Sequence, residues 1–157
     1  MNYWMLQCNP NKWQWFEAVR NYEKDTWGVS LYANKIDLGD IAFIWLANLY
    51  ERNKVIKSRG IYATGEVTGL PDENRKRFDW EYKYWINRKE MERLSQLPRL
   101  ELKYINTFVS APSLPLLVDG LKEANLGHLL VLRMPQRGIY KLTHQDGVAI
   151  KYLVENR

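Results

Sequence analysis

The stretch Trp27-Gly28-Val29-Ser30, preceded by Asp25-Thr26, places a large flat ring beside bare backbone and a small hydroxyl. Such a ring can stack on a flat ligand, and the glycine leaves backbone groups free to reach the ligand's edge. Trp27 serves equally well as core, so site and core both stay open at this point. Trp80 follows Arg75-Lys76-Arg77-Phe78-Asp79, a charged run in which a purely core tryptophan is less expected. Two aromatic walls and a hydrogen-bonding floor suffice to hold a base taken out of its stack. Each stack is worth roughly 1–3 kcal/mol. Tyr3, Trp4 and Phe43 read as core.

Cations gather in two places. Arg52, Lys54, Lys57 and Arg59 flank a hairpin tip, and Arg133, Arg137 and Lys141 flank Pro135-Gln136. Beside a pocket these groups would hold phosphates; elsewhere they are solvated loops. The net charge of +5, the 13% aromatic content and the seven Trp together raise the expectation of a nucleic-acid partner. Phosphates attract cations and bases attract aromatic faces.

Signatures of catalysis are absent. The two histidines, His128 and His144, stand apart, and the single Cys8 gives no zinc-binding spacing. There is no Walker loop and no Gly-x-Ser-x-Gly elbow. Cys8 reads as a small buried hydrophobe. Nothing in the sequence pairs two carboxylates in a cleft. The expectation is a binding module that is not an enzyme and uses no cofactor or metal.

A chain of 157 residues fits one domain spanning 1–157, and 46% hydrophobic residues suit a globular protein. No apolar run reaches the roughly 18 residues of a membrane span. The N-terminus lacks the pattern of a signal peptide, and the lone cysteine favours the cytoplasm.

The elements that must position these residues follow from patterning. Tyr3 to Gln7 reads as a strand. Asn9-Pro10 then opens a helix over 11–21, with Asn9 as cap and Trp15, Phe16 and Val19 on one face. Trp13 and Trp15, two apart on that helix, cannot both face inward. Leu38-Gly39-Asp40 turns the chain into Ile41-Ala42-Phe43-Ile44-Trp45-Leu46, a fully buried strand. Glu51–Arg59 is a polar hairpin. Gly60–Val67 is a second central strand, with Gly65 marking a bulge or close approach. A short helix or an ordered insertion is expected at 88–97, a helix at 116–124 and a short turn of helix at 127–132, with a third strand at 100–109. Thr143-His144-Gln145-Asp146 caps a final helix in the manner of a capping box. Without βαβ alternation the fold class is α+β, with a curved, mostly antiparallel, barrel-like sheet flanked by helices.

Tyr3-Trp4-Met5-Leu6-Gln7-Cys8-Asn9, Trp27-Gly28-Val29, Leu38 to Trp45 and Gly60 to Val67 together resemble the EVE domain. This is a PUA-like family similar to YTH domains. The tail Leu130 to Gln136 with its capped helix resembles EVE-type domains associated with McrBC-like modification-dependent restriction. The resemblance implies a pocket that reads a modified base. YTH domains read N6-methyladenine in RNA, and EVE-type domains are linked to methylated cytosine or adenine in DNA. It places the first cage aromatic at Trp27 and a base-edge hydrogen bond at Asn9, beside Cys8. The second aromatic falls nearest Trp80, with Trp45 in the central strand as a wall or as core, and Gly28 and Ser30 complete the pocket. Two residues depart from the YTH pattern: Cys8 replaces a serine, and Gly28 stands where a small hydroxyl is usual. The implied partner is nucleic acid, DNA with a modified base or alternatively modified RNA. A fused or associated nuclease or NTPase effector fits the same resemblance.

Overall fold

The computed structural model describes residues 1–110 and 112–157. Its centre is a pair of strands, β1 (Tyr3–Cys8) and β3 (Ile41–Leu46), which run parallel with Tyr3 opposite Ile41 and Cys8 opposite Leu46. Both read as near-continuous apolar runs because both of their faces are covered. The sheet continues through β6 (Gly60–Asp72), β7 (Arg99–Thr107) and β2 (Lys24–Gly28) on one side and β9 (Ile139–Leu142) on the other. Its order is β2-β7-β6-β3-β1-β9, and among the described residues every pairing except β1 with β3 is antiparallel. A short β8 (Leu116–Leu117) pairs with the start of β6, and β4 (Leu49–Glu51) with β5 (Lys54–Lys57) forms a separate hairpin.

Side chains alternate across a strand, and this period divides the core in two. Tyr3, Met5, Ile41, Phe43 and Trp45 face α3 (Val118–Glu123), α4 (Leu130–Arg133) and α5 (His144–Glu155). Trp4, Leu6, Cys8, Ala42, Ile44 and Leu46 face the other way. There they meet the single helical turn α1 (Trp15–Ala18), Trp13, Tyr62, Tyr104 and Trp27. Burying a Trp removes roughly 200 Å² from water, about 5 kcal/mol, so these rings weigh heavily in holding the two layers together. Asp40, ahead of β3, is buried and accepts hydrogen bonds from Trp4 Nε1, Asn2 N and Asp37 N at 2.8–2.9 Å. Burial raises its proton affinity, but these donors outweigh it and hold the carboxyl below its usual range.

Several expectations are corrected. The helix expected over 11–21 shrinks to Trp15–Ala18. Asn9 caps no helix; its Oδ1 accepts from Asn11 N at 3.0 Å, a local turn that competes with helix. Trp13 lies outside the helix in a β-bridge with Trp85, so both Trp13 and Trp15 are buried, against the helical parity expected for them. Two strands stand where the sequence reading assigned no element: β2, with Trp27 near its end, and β9. The expected capping box is half made: Asp146 N donates to Thr143 Oγ1, while the Asp146 carboxylate turns to His128. At Gly65 the pairing with β7 shifts register, and an added Cβ would lie 3.2 Å from Leu102 Cδ1, in keeping with the bulge and close approach expected there.

Candidate nucleic-acid interface

The ends of β1 and β2 lie on one side of a cavity of about 460 Å³. β1 supplies Gln7 and Cys8, with Asn9 just beyond it; β2 supplies Thr26, Trp27 and Gly28. The remaining wall comes from Lys12 and Trp13, from the segment holding Arg77, Glu81 and Trp85, and from α2 (Arg88–Ser95) with Arg99 behind it. Pro135 to Gly138 closes the rim. That rim is tied down by Tyr140, whose hydroxyl accepts from Arg137 N and donates to Met134 O, and by Gln7 N bonding Gly138 O.

The walls are indoles. Trp13 meets Trp27 edge to face, and Trp85 stacks on Trp13 with ring centres 5.9 Å apart. The guanidinium of Arg77 lies over the Trp85 ring at 5.1 Å. The floor is charged and buried. Glu81 accepts from Thr26 Oγ1 at 2.8 Å and from Phe78 N at 2.6 Å. Arg99 donates to Thr26 Oγ1 and to Leu94 O. Behind Thr26, Asp25 accepts from Tyr104 Oη, which accepts in turn from Trp15 Nε1.

Burial governs the proton affinities here. Asp25 is pushed well above the usual carboxylate range, first by burial and then by the charge of Glu81 beside it. Arg99 is lowered to about 10 by burial and by Arg77, and stays charged at neutral pH. Arg77 is lowered by burial, with Glu81 opposing. Cys8 is pushed up by burial and then by Asp25, so it lines the cavity as a neutral thiol and not as a nucleophile. At the mouth Glu90 is held down by Arg93 and, more weakly, by Lys12. Five cations lining the cavity (Lys12, Arg77, Arg93, Arg99, Arg137) face two carboxylates (Glu81, Glu90), so the cavity favours negative or acceptor-rich groups.

Of the residues singled out by sequence, Cys8, Asn9, Trp27, Gly28 and Arg137 line this cavity. Asn9 Oδ1 is taken by Asn11, which leaves the amide N–H groups of Asn9 to offer. Gly28 has a packing reason as well: a Cβ there would lie 3.1 Å from Leu94 O. Three of the candidate residues stand outside the cavity, Trp45 in the core position that was one of its two readings. Trp45 points into the opposite core layer, because it has the parity of Phe43 on β3. Trp80 stacks on Tyr22 at 3.9 Å and lies outside the cavity. Ser30 is exposed beyond the end of β2, outside the cavity lining. The second wall is Trp13 with Trp85.

The basic residues divide similarly. Arg52 and Lys54 are exposed at the tip of the β4–β5 hairpin, where Arg52 and Asn53 take positive φ. Lys57 is held over the Phe16 ring at 4.9 Å. Arg59 follows the hairpin, its N–H on Asn48 Oδ1, and Arg133 is exposed on α4; none of these five lines the cavity. Asn11 links hairpin to rim, donating to Asn48 O and accepting from Tyr50 N. Sequence reasoning missed Arg77, Glu81 and Arg99, because charged residues give no local sign that they will be buried, and it missed Arg93, which stands exposed at the mouth on α2. Trp13 was signalled only by its clash of spacing with Trp15. Among the described residues no group of His, Cys, Asp and Glu is placed to hold a metal, and no helix is long and apolar enough to cross a membrane.

Solved structures share this architecture. Human THYN1 in complex with DNA containing 5-methylcytosine superposes with a TM-score of 0.65 at 13% identity, covering 100% of this chain and 99% of that one. A hypothetical protein from Leishmania major gives 0.64 at 15% identity, covering 99% and 95%. The YTH domain of Mmi1 in complex with RNA gives 0.55 at 10% identity, covering 98% and 77%. Comparison with curated protein sequences finds no significant match. The family model described as EVE domain matches residues 2–152. The α+β, PUA-like sheet, the tryptophan-walled cavity at its edge and this match over nearly the whole length lead to one conclusion: the chain belongs to the EVE domain family.

Proposed function

We propose that this chain is a non-catalytic module that binds nucleic acid by taking a modified base into the cavity beside Trp27. The observation that carries the reading is the cavity itself: indole walls from Trp13, Trp27 and Trp85 over a buried floor, with cations in excess. Its volume of about 460 Å³ suits a small flat ligand. Stacking supplies affinity, and a methyl group on the base adds around 1 kcal/mol when buried against the rings. The amide of Asn9 and the backbone at Gly28 meet the base near the mouth. Lys12 and Arg137 hold the flanking phosphates, and Arg52, Lys54, Arg59 and Arg133 extend that grip along the strand.

DNA is the proposed partner, and the THYN1 complex with 5-methylcytosine DNA supports it. In a duplex the base must leave its stack to enter, at a cost of a few kcal/mol. A nuclease or NTPase effector, fused or associated in the cytoplasm, would act on the strand this module holds. The test is a binding panel at fixed salt: unmodified, 5-methylcytosine, 5-hydroxymethylcytosine and N6-methyladenine strands, as DNA and as RNA. A modified DNA strand should bind more tightly than its unmodified match. Equal affinities throughout would sink the proposal, and preference for modified RNA would replace DNA as the partner.

A further inference from the structure

The hairpin of β4 and β5 is a two-stranded ribbon that pairs with no other strand among the described residues. Three large apolar side chains on it stand out in water: Tyr50 is 51% exposed, Val55 47% and Ile56 51%. Single exposed apolar residues are ordinary, but three within seven residues, on both strands, form a patch. A lone hairpin gains little stability from them, because half of each side chain stays in water.

The shape of the ribbon is fixed at its tip and at its base. Arg52 and Asn53 adopt positive φ, 49° and 65°, which closes a two-residue turn and keeps the tip narrow. Tyr50 stands opposite Val55 and Glu51 opposite Lys54, so the apolar pair shares one face and the charged pair the other. The pairing slips between Leu49 and Tyr50, which leaves Ile56 as the extra residue of a bulge. At the base, Asn11 accepts from Tyr50 N at 3.0 Å, and its amide donates to Asn48 O at 2.8 Å and to Asn9 Oδ1 at 2.9 Å. Asn9 lines the cavity, so hydrogen bonds through one side chain hold the ribbon at the cavity's rim.

Charge narrows the kind of surface the ribbon fits. Between residues 49 and 59 four cations, Arg52, Lys54, Lys57 and Arg59, accompany one carboxylate, Glu51. Lys57 is taken up over the Phe16 ring, while Arg52 and Lys54 stand exposed at the tip. An apolar pair flanked by cations is complementary to a base stack flanked by phosphates. A two-stranded ribbon fits the major groove of a duplex, and apolar side chains can press between base steps and part them.

We infer that this hairpin is the wedge that opens a duplex beside the cavity: Tyr50 and Val55 enter the stack at the step the base has left, and Arg52 and Lys54 hold the phosphates on either side. The inference rests on the base-reading proposal above and adds what offsets the cost of extrusion. A base enters the cavity only by leaving its stack, and the gap exposes the apolar faces of its neighbours. The cavity stacks the base, and the ribbon covers the gap. A single strand has no pairing to break and no gap to fill, so it needs the cavity alone.

The experiment uses the full chain and one DNA sequence that carries 5-methylcytosine, N6-methyladenine or neither at one position, as single strand and as duplex, at fixed salt. Tyr50→Ser with Val55→Ser removes the apolar pair and keeps every cation. It should weaken binding of the modified duplex about tenfold and leave the modified single strand within about twofold. Tyr50→Phe with Val55→Leu keeps the pair apolar and should bind both forms as the native protein does. Both positions are half in water, so the fold tolerates these changes. A duplex affinity that the serine pair leaves unchanged overturns the wedge. So does an equal loss on duplex and single strand, which would make the hairpin a general grip, or a loss in the Phe–Leu pair as large as in the serine pair. No preference for a modified base in either form overturns the base-reading proposal itself, and the wedge with it.

Discussion

The indole of Trp13 meets that of Trp27 edge to face, with ring centres 6.0 Å apart and planes at 85°. One ring comes from a β-bridge to Trp85 and the other from the end of β2, so the corner exists only when both segments are in place. Trp27→Ala removes one side of that corner. It should weaken binding of a modified strand by about 10- to 100-fold, the worth of one stacked base. Trp80→Ala, whose ring packs on Tyr22 outside the cavity, should leave affinity within about twofold, because distant sites act independently. Fluorescence anisotropy at fixed salt measures both, and equal losses would remove Trp27 from the site.

The exposed cations of the hairpin should show themselves in salt dependence. Each phosphate neutralised on duplex DNA contributes about 0.9 to the slope of log affinity against log salt. Arg52→Ser with Lys54→Ser should therefore reduce the slope by about 1.8 if both touch phosphates. The preference for a modified over an unmodified base should not change. Titrations at four salt concentrations test this, and an unaltered slope would take the hairpin out of the interface.

Asp25 makes the stability of the fold depend on pH in an unusual direction. It is 1% exposed, and burial together with Glu81 holds its proton affinity well above that of an ordinary carboxyl. The folded chain keeps this proton where the unfolded chain, at about 3.9, has released it. Its stabilising contribution is thus complete below about pH 4 and is lost as pH rises toward the folded value, by up to about 1.4 kcal/mol per pH unit. Asp25→Asn does not titrate. The stability of the native protein relative to this variant should fall steadily as pH is raised from about 4, measured by urea unfolding. A difference that stays flat would mean that Asp25 is ionised in the fold.

Gly147 in α5 sets two effects against each other. Alanine in a helix interior normally gains about 1 kcal/mol over glycine. Here an added Cβ would lie 2.1 Å from Tyr3 Cγ, against a buried ring that stacks parallel to Phe43 to within 2°. Forcing that ring aside costs roughly 1–3 kcal/mol, so the overlap outweighs the propensity. Gly147→Ala should lower the unfolding temperature, and Gly147→Ala with Tyr3→Leu should recover part of the loss. A more stable single variant would show that α5 shifts freely on the sheet.

The sequence by itself determined the family, the α+β class and the central strands. Ile41 to Leu46 is apolar at every position because both faces of β3 are covered, and such a run is legible without coordinates. The ring at Trp27, the strand end at Cys8-Asn9 and the cation at Arg137 were legible too, since each belongs to a short stretch with its own chemistry. Only the tertiary structure decided which partners they meet. Trp45 was lost to the opposite core layer by the parity of one strand, and Trp13 was gained because a bridge to Trp85 displaced the expected helix. Thr26 and Glu81 are 55 residues apart, and Asp25 and Tyr104 are 79 apart. Whether an arginine or a carboxylate is solvated or buried depends on what packs over it, and that is a property of distant segments. The floor of the cavity, where Arg77 and Glu81 stand, was therefore written in the fold and not in any local pattern of residues.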